Sequence, residues 1–201
     1  MEILGFIIVA AVGYLFGAIP FAVIIAKMRG VDIFKVGSGN PGATNVKRSC
    51  GKTAGNICFV LDALKGFVAT MFPVFSPYLG VTFSYPEYLP YVGLVAAVVG
   101  HSFSIFIGFK GGKGVSTAIG GLFGVMCGAI LIALIIWLVV FYSTRYVSLA
   151  SIAMAATLPV AAAFLYNDGI RLYIAVALCV VVIIRHRSNI VRLFKGTENR
   201  F

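Results

Sequence analysis

The sequence predicts an all-α integral membrane protein with seven transmembrane helices, its N-terminus outside and its C-terminus cytoplasmic. Three observations lead there. The chain is 61% hydrophobic and only 11% charged, where a soluble domain would carry about 25% charge; its mean hydropathy is +1.04. Its apolar residues fall into runs of the ~20 residues that a helix needs to cross a bilayer. Its 16 Lys and Arg against 6 Asp and Glu sit between those runs, as expected of a protein oriented by the positive-inside rule. At 201 residues one bundle is expected rather than two domains.

The first apolar run covers residues 3–26. The opening MEILGF lacks the basic start of a signal peptide, and the run is too long for a signal core, so a retained span is expected. Gly13, Gly17 and Pro20 within it suit close packing or a kink. Lys27 and Arg29 open a basic segment that continues to Lys52. Residues 55–78 form the second span, and it carries Asp62 and Lys65 three residues apart on one helical face, where they can pair. The stretch 76–90 holds three prolines and Glu87 but no Lys or Arg. Residues 88–109 are a third span with His101 near its inner end, and 110–113 form a second glycine-basic loop. The run 115–141 is interrupted only after Phe141, by residues 143–145. Residues 147–166 and 170–184 are two further spans, separated by Asn167, Asp168 and Gly169, and a basic tail starts at Arg185.

Charge parity sets the count. Taken as one helix, the run 115–141 is long at ~27 residues against ~20 required. It would also place the basic segment 27–52 and the basic tail on opposite faces. A turn among Gly120, Gly121, Gly124 and Gly128 divides it into two short helices, a broken-helix hairpin near 120–128, and makes seven crossings. Residues 27–52, Lys110, Lys113, Arg145 and the tail then all face the cytoplasm, while Glu2, Glu87 and Asp168 face outward with Arg171. Backbone broken at membrane depth is tolerated where protein or water covers it, so this hairpin is expected to line a site.

The polar residues concentrate in four cytoplasmic segments. In GSGNPGATN (37–45), followed by Lys47 and Arg48, three glycines permit positive φ and close ligand approach, and successive N–H groups can form an anion-binding nest. Ser38, Asn40, Thr44 and Asn45 can hydrogen-bond, and with the Gly39 turn, Lys47 and Arg48 they are candidates to cradle a phosphate or carboxylate. KGGKGVS (110–116) runs straight into a helix, and Gly111, Gly112 and Lys113 beside a helix N-terminus suit an anion. It is not a nucleotide-binding P-loop, because Gly114 rather than Ser or Thr follows Lys113 and no strand precedes it. The formal GxGxxG of residues 37–42 lacks a βαβ unit and is not a dinucleotide site. Ser148 begins another span, and His186 lies between Arg185 and Arg187 where the last span meets water. This histidine can serve as a base or as a donor to phosphate, its charged form favoured by a bound phosphate and disfavoured by its cationic neighbours. It is equally open to a purely interfacial role. His101 is expected to be packed and hydrogen-bonded, and Asp62–Lys65 to glue helices near the site.

Several classes are excluded. The polar segments are too short to build a groove around a duplex, so no nucleic-acid partner is expected, and the positive charge matches anionic membrane lipids. The carboxylates are too few and scattered to hold a divalent cation, so neither a metal nor another cofactor is expected. Cys50, Cys58, Cys127 and Cys179 have no CxxC spacing, and no disulfide is expected. No Gly-x-Ser-x-Gly elbow exists. What remains is a site for phosphorylated small molecules next to lipid, either an enzyme or a transporter of anionic phosphorylated metabolites. The crowding of basic, glycine-rich loops on one face favours the enzyme.

Five segments in this order, GSGNPGATNVKR (37–48), LDALKG (61–66), GHSFSIFIGFKGGKGVST (100–117), RYVSLAS (145–151) and RHRSNIVRLFKGTE (185–198), resemble the bacterial membrane glycerol-3-phosphate acyltransferase family that uses acyl phosphate (PlsY). The resemblance covers essentially the whole chain. It implies transfer of a fatty acyl group from a long-chain acyl phosphate to the 1-hydroxyl of glycerol-3-phosphate at the cytoplasmic face of the bacterial inner membrane. The products would be lysophosphatidic acid and phosphate. By motif position it assigns Ser38, Arg48 and Lys113 to the glycerol phosphate, and Thr44, Asn45, Ser148 and His186 to the acyl phosphate. Asn189 would orient the attacking hydroxyl. His186, Asn189 and Lys113 are thereby the expected catalytic residues.

Overall fold

The computed structural model describes residues 2–201; the Glu2 side chain, expected on the outer side, is outside that description. Among the described residues there is helix and no strand. The helices are α1 (Glu2–Ala18), α2 (Phe21–Met28), α3 (Ala43–Cys50), α4 (Lys52–Phe75), α5 (Leu89–Ser102), α6 (Val115–Val125), α7 (Cys127–Thr144), α8 (Val147–Leu165), α9 (Gly169–Arg185) and α10 (Arg187–Phe194), with 3₁₀ turns at Ser76–Leu79 and Ile105–Ile107. They form two compact units, one ending at Val125 and the other running Met126–Phe201.

In the first unit α1 packs on α5, and α4 packs on both α5 and α6. Small residues make these approaches possible: a Cβ on Gly17 would collide with the Ala97 carbonyl, and one on Gly120 with the Ala63 carbonyl. Between membrane helices, close backbone approach of this kind supplies the packing that hydrophobicity cannot. The predicted kink at Pro20 is a break between α1 and α2, since proline lacks the N–H that would continue the ladder. The carbonyls of Ala18 and Ile19 at the break are taken up by Ser104 Oγ (2.5 Å) and Lys65 Nζ (2.7 Å). A polar rescue of this sort is required where backbone opens inside a bilayer.

In the second unit α7 packs on α8 and α8 on α9, with Trp137 Nε1 donating to Ser151 Oγ at 3.3 Å. Arg145 closes α7 in the left-handed region (φ 63), the break predicted at residues 143–145. Asp168 caps α9 by accepting from the Arg171 N–H at 2.9 Å. The tail beyond Arg185 is not merely a polar extension: α10 forms there, bent by 59° from α9 at His186.

Five helical stretches are long and apolar enough to cross a bilayer: Ile3–Met28, Lys52–Leu79, Leu89–Ile107, Cys127–Thr144 and Val147–Leu165. The bent pair α9 and α10 makes a sixth. The expected split of residues 115–141 is present and falls within the expected 120–128 range, though not at a glycine. Its break falls at Met126, and Gly120, Gly121 and Gly124 lie inside α6. They serve helix packing, with Gly120 against Ala63 and Gly121 beside Leu94 and Thr70. The two pieces are also unequal. Eighteen residues make α7 a full span, whereas the 11 residues of α6 reach only about 16 Å at ~1.5 Å per residue.

Candidate functional site

The 37–45 loop is shaped by Asn45. This side chain is 1% exposed, and its Oδ1 accepts from the Ser38 N–H at 3.0 Å while Nδ2 donates to the carbonyls of Ile33 (3.2 Å) and Val36 (3.0 Å). Gly37 (φ 57) and Gly39 (φ 66) supply the left-handed turns that bring the chain around it. The Gly39 and Gly42 N–H groups donate to Val36 and Asn40 carbonyls at 3.0 and 2.9 Å. Three of the loop's amides, those of Ser38, Gly39 and Gly42, are thus taken up within the turn. The loop presents Ser38, exposed at the tip, and α3, whose last turn carries Lys47 and Arg48. Thr44 lies half-buried in the first turn of α3. Asn45, assigned to the acyl phosphate by motif, has both ends of its amide engaged in building the loop.

The 110–116 loop follows the same pattern. Gly111 N–H donates to Ser102 O at 3.2 Å and Gly112 N–H to His101 O at 3.1 Å. These two amides, expected to cradle an anion, cap the C-terminal carbonyls of α5, which a helix end leaves without intrahelical partners. The cationic contribution comes from Lys113, half-buried just before α6. The two loops meet: a Cβ on Gly112 would stand 2.9 Å from the Pro41 carbonyl oxygen. The loop that carries Ser38, Gly39, Thr44 and Asn45 thus touches the one that carries Gly111, Gly112 and Lys113 at Pro41 and Gly112, within one unit.

Beneath them lies a buried charged cluster. Asp62 Oδ1 pairs with Lys65 Nζ at 2.9 Å, as the i, i+3 spacing predicted, and faces His101 Nδ1 at 3.5 Å. Thr117 Oγ1 is 3.1 Å from the same nitrogen. His101 is packed and hydrogen-bonded, as expected.

In the second unit, Ser148, His186 and Asn189 are all buried, at 5%, 3% and 5% exposure. His186 Nδ1 is 2.8 Å from the Val182 carbonyl. A carbonyl can only accept, so Nδ1 carries the proton, and Nε2 is the basic nitrogen of the neutral ring. Ser148 and Asn189 converge on a residue that the motif assignments overlooked. Glu198 Oε1 accepts from Ser148 Oγ (2.8 Å) and Asn189 Nδ2 (2.7 Å), and Oε2 accepts from Arg192 Nε at 2.7 Å. The chain returns to make these bonds through Gly196 (φ 67), where Gly196 N–H donates to Leu193 O and Thr197 N–H to Arg192 O, a Schellman closure of α10. Burial opposes ionisation of Glu198, but hydrogen bonds from Asn189, Arg192 and Ser148 outweigh it and hold the carboxyl below its ordinary range. The spacing Asn189–Arg192 was a signal in the sequence, since residues three apart share a helix face. The return of Glu198 to that face was not.

Comparison with known proteins gives the family. A family model described as glycerol-3-phosphate acyltransferase matches residues 7–196. The chain belongs to the membrane glycerol-3-phosphate acyltransferase (PlsY) family. It is 45% identical over 191 residues to the glycerol-3-phosphate acyltransferase of Aquifex aeolicus, covering 94% of this chain and 95% of that one. It is 44% identical over 195 residues to that of Geobacter sulfurreducens, covering 97% of each. The crystal structure of PlsY (YgiH), an integral membrane glycerol 3-phosphate acyltransferase, in its glycerol 3-phosphate form, superposes with a TM-score of 0.88 at 40% identity, over 98% of this chain and 95% of that one. A second crystal structure of PlsY (YgiH), the lysophosphatidic acid form, gives 0.85 over the same shares at 40% identity.

Proposed function

We propose that this PlsY-family chain transfers a fatty acyl group from a long-chain acyl phosphate to the 1-hydroxyl of sn-glycerol-3-phosphate, the first committed step of phospholipid synthesis. The glycerol oxygen bonds to the acyl carbonyl carbon, the acyl–phosphate C–O bond breaks, and the hydroxyl proton leaves with the released phosphate. Lysophosphatidic acid is the other product. The observation that carries this reading is the close relation to a PlsY characterised in both a glycerol 3-phosphate and a lysophosphatidic acid form, the acceptor and the product of that reaction. The choice of acyl phosphate as donor rests on the five-segment resemblance.

The residues suit such chemistry. An acyl phosphate is already activated, so no covalent enzyme intermediate is required, and catalysis reduces to positioning and charge stabilisation. In the first unit Ser38, Arg48 and Lys113 are assigned to the phosphate of glycerol-3-phosphate, on loops held by Asn45 and by the end of α5. By the motif resemblance Thr44, Ser148 and His186 are assigned to the acyl phosphate. His186, protonated at Nδ1, keeps Nε2 as its basic nitrogen, the atom assigned to the acyl phosphate. Asn189 is oriented by donating Nδ2 to Glu198, which makes Oδ1 an acceptor for the attacking hydroxyl. No cofactor or metal enters the scheme.

The orientation proposed is seven crossings, with α6 as the short member, in a bacterial inner membrane. The basic loops then all face the cytoplasm, where glycerol-3-phosphate is available. Maleimide labelling in a cysteine-free background, at Glu87 and at the exposed Lys35 and Lys195, tests this: Glu87 should label from outside, and the other two only after permeabilisation. The activity is tested by incubating purified protein in detergent with palmitoyl phosphate and glycerol-3-phosphate. Phosphate and lysophosphatidic acid should appear in equal amounts, and neither should form when acyl-CoA replaces acyl phosphate. A transporter would yield nothing in detergent, which would overturn the reading.

A further inference from the structure

We infer that His101, held by Asp62 and Thr117, is a positioning residue that fixes the Gly111–Lys113 loop against the 37–45 loop. The inference rests on the assignment of Lys113 to glycerol-3-phosphate and explains what keeps that lysine in place.

His101 Nδ1 faces two oxygens, Thr117 Oγ1 at 3.1 Å and Asp62 Oδ1 at 3.5 Å. Asp62 is itself anchored by Lys65 at 2.9 Å, and Lys65 Nζ is tied to the Ile19 carbonyl at the α1–α2 break. One edge of the imidazole is thereby locked to α4 and α6. The opposite edge, bearing Nε2, lies directly against Gly112: a Cβ added there would overlap His101 Nε2. The His101 carbonyl takes the Gly112 N–H at 3.1 Å, and the next carbonyl takes the Gly111 N–H. On its other side Gly112 abuts the Pro41 carbonyl. The glycine is thus sandwiched between the ring of His101 and the loop that carries Ser38 and Arg48.

The cluster is not itself a substrate site. Asp62, Lys65 and His101 are 1%, 4% and 7% exposed. The cavity they line with Pro41 and Gly112 is about 10 Å³, room for roughly one water and no more. An ion pair that only glued helices could be replaced by apolar packing at little or no cost, whereas a planar ring locked at Nδ1 gives Gly112 a fixed wall. Position 112 must be glycine for the loops to close to this distance, and His101 sets how close.

The test is steady-state kinetics of the full chain in detergent, with glycerol-3-phosphate and palmitoyl phosphate each varied. His101→Ala should raise KM for glycerol-3-phosphate at least tenfold, with kcat and the KM for palmitoyl phosphate within threefold. His101→Asn keeps a donor toward Asp62 and Thr117 but ends short of Gly112. It should show the same KM defect with a near-native melting temperature, which keeps the inference testable should the alanine variant fail to fold. In a double-mutant cycle, Gly112→Ala should be damaging alone and partly rescued by His101→Ala, because the ring it strikes is gone. Parallel loss of kcat and both KM values, or strict additivity in the cycle, would overturn the positioning role. Lys113→Ala run alongside separates the two claims. If it raises KM for glycerol-3-phosphate while both His101 variants do not, this inference alone falls. If Lys113→Ala is silent, the phosphate assignment falls and this inference with it.

Discussion

The two units hold their polar residues by different means. In the first, main chain does the holding: Asn45 bonds to three backbone groups, and Gly111 and Gly112 donate to the carbonyls at the end of α5. In the second, a carboxylate does it, with Glu198 gathering Ser148, Asn189 and Arg192. Backbone partners do not titrate, and they can be displaced only by moving the chain. A carboxylate can be neutralised by a proton and replaced by a neutral isostere. The Asn45 loop should therefore be brittle to side-chain substitution and indifferent to acid, and the Glu198 cluster sensitive to acid.

The largest effect is expected at Asn45. In Asn45→Asp, an acceptor replaces Nδ2 and faces the carbonyls of Ile33 and Val36. Each buried acceptor so abandoned costs about 1–3 kcal/mol, and two together are a large fraction of the roughly 5–15 kcal/mol margin of a typical domain. Activity should fall more than a hundredfold, with a melting temperature lowered by several degrees. Glu198→Gln, by contrast, keeps one acceptor for Ser148 and Asn189 but sets an NH2 donor against Arg192 Nε, losing one charge-assisted bond of about 1.5–3 kcal/mol. Equal damage from the two substitutions in a thermal unfolding series would remove the distinction between the units.

Next in size are the cations of the first unit. Arg48 presents a planar fork that can grip two phosphate oxygens, whereas Lys113 is a point charge. Loss of one charge-assisted bond, roughly 1.5–3 kcal/mol, corresponds to about ten- to a hundredfold in catalytic efficiency. Arg48→Lys should therefore be damaging even though the charge survives, with the loss appearing in KM for glycerol-3-phosphate. Wild-type kinetics for both Arg48→Lys and Lys113→Ala would sink the assignment.

These residues show where sequence was informative. Helices, the Pro20 break, the Asp62–Lys65 pair and the glycine loops were legible because each depends on spacing along the chain. The division of residues 115–141 was legible as a requirement of charge parity, and its position to within residues 120–128, but not which residue makes the break. Glycine marks a turn and a close helix contact equally well, and Gly120 faces Ala63 from within α6. The role of Asn45 was hidden for a related reason: an amide among glycines reads as a ligand donor until the carbonyls it meets, nine and twelve residues away, are placed. Glu198 was hidden by its fold-back through Gly196, since Ser148 lies fifty residues away in sequence.

A smaller effect separates the units by pH. Because Glu198 is held below the usual carboxylate range, it contributes stability above the carboxyl's unfolded value. That contribution is lost as pH falls through the lower folded value. Acidification from neutrality to below the ordinary carboxylate value of 4.5 should therefore loosen the second unit, with faster amide exchange in α10 than in α3. Glu198→Gln should abolish this difference, while Asn45 variants should leave it unchanged. An acid response identical in wild type and Glu198→Gln would show that the carboxylate is not its source.

The smallest expected effect is none at all, from excess EDTA. A divalent cation would need carboxylates drawn together and available to it, yet the acidic residues near the two sets of polar groups are dispersed and already matched to cations. Asp62 is paired with Lys65 at 2.9 Å and Glu198 with Arg192 at 2.7 Å; Asp32 lies 3.5 Å from Lys35. Drawing Asp62 toward a metal would strand the buried Lys65, a change that costs about 3–5 kcal/mol for a buried pair, and drawing Glu198 away would release Ser148, Asn189 and Arg192 together. In the proposed scheme the charge on the phosphates is met by Arg48, Lys113 and hydrogen-bond donors. Turnover of palmitoyl phosphate and glycerol-3-phosphate should be unchanged after dialysis against chelator. A strict magnesium requirement, restored by added metal and absent in Glu198→Gln, would locate a cation in the second unit and make its carboxylate a ligand rather than a brace.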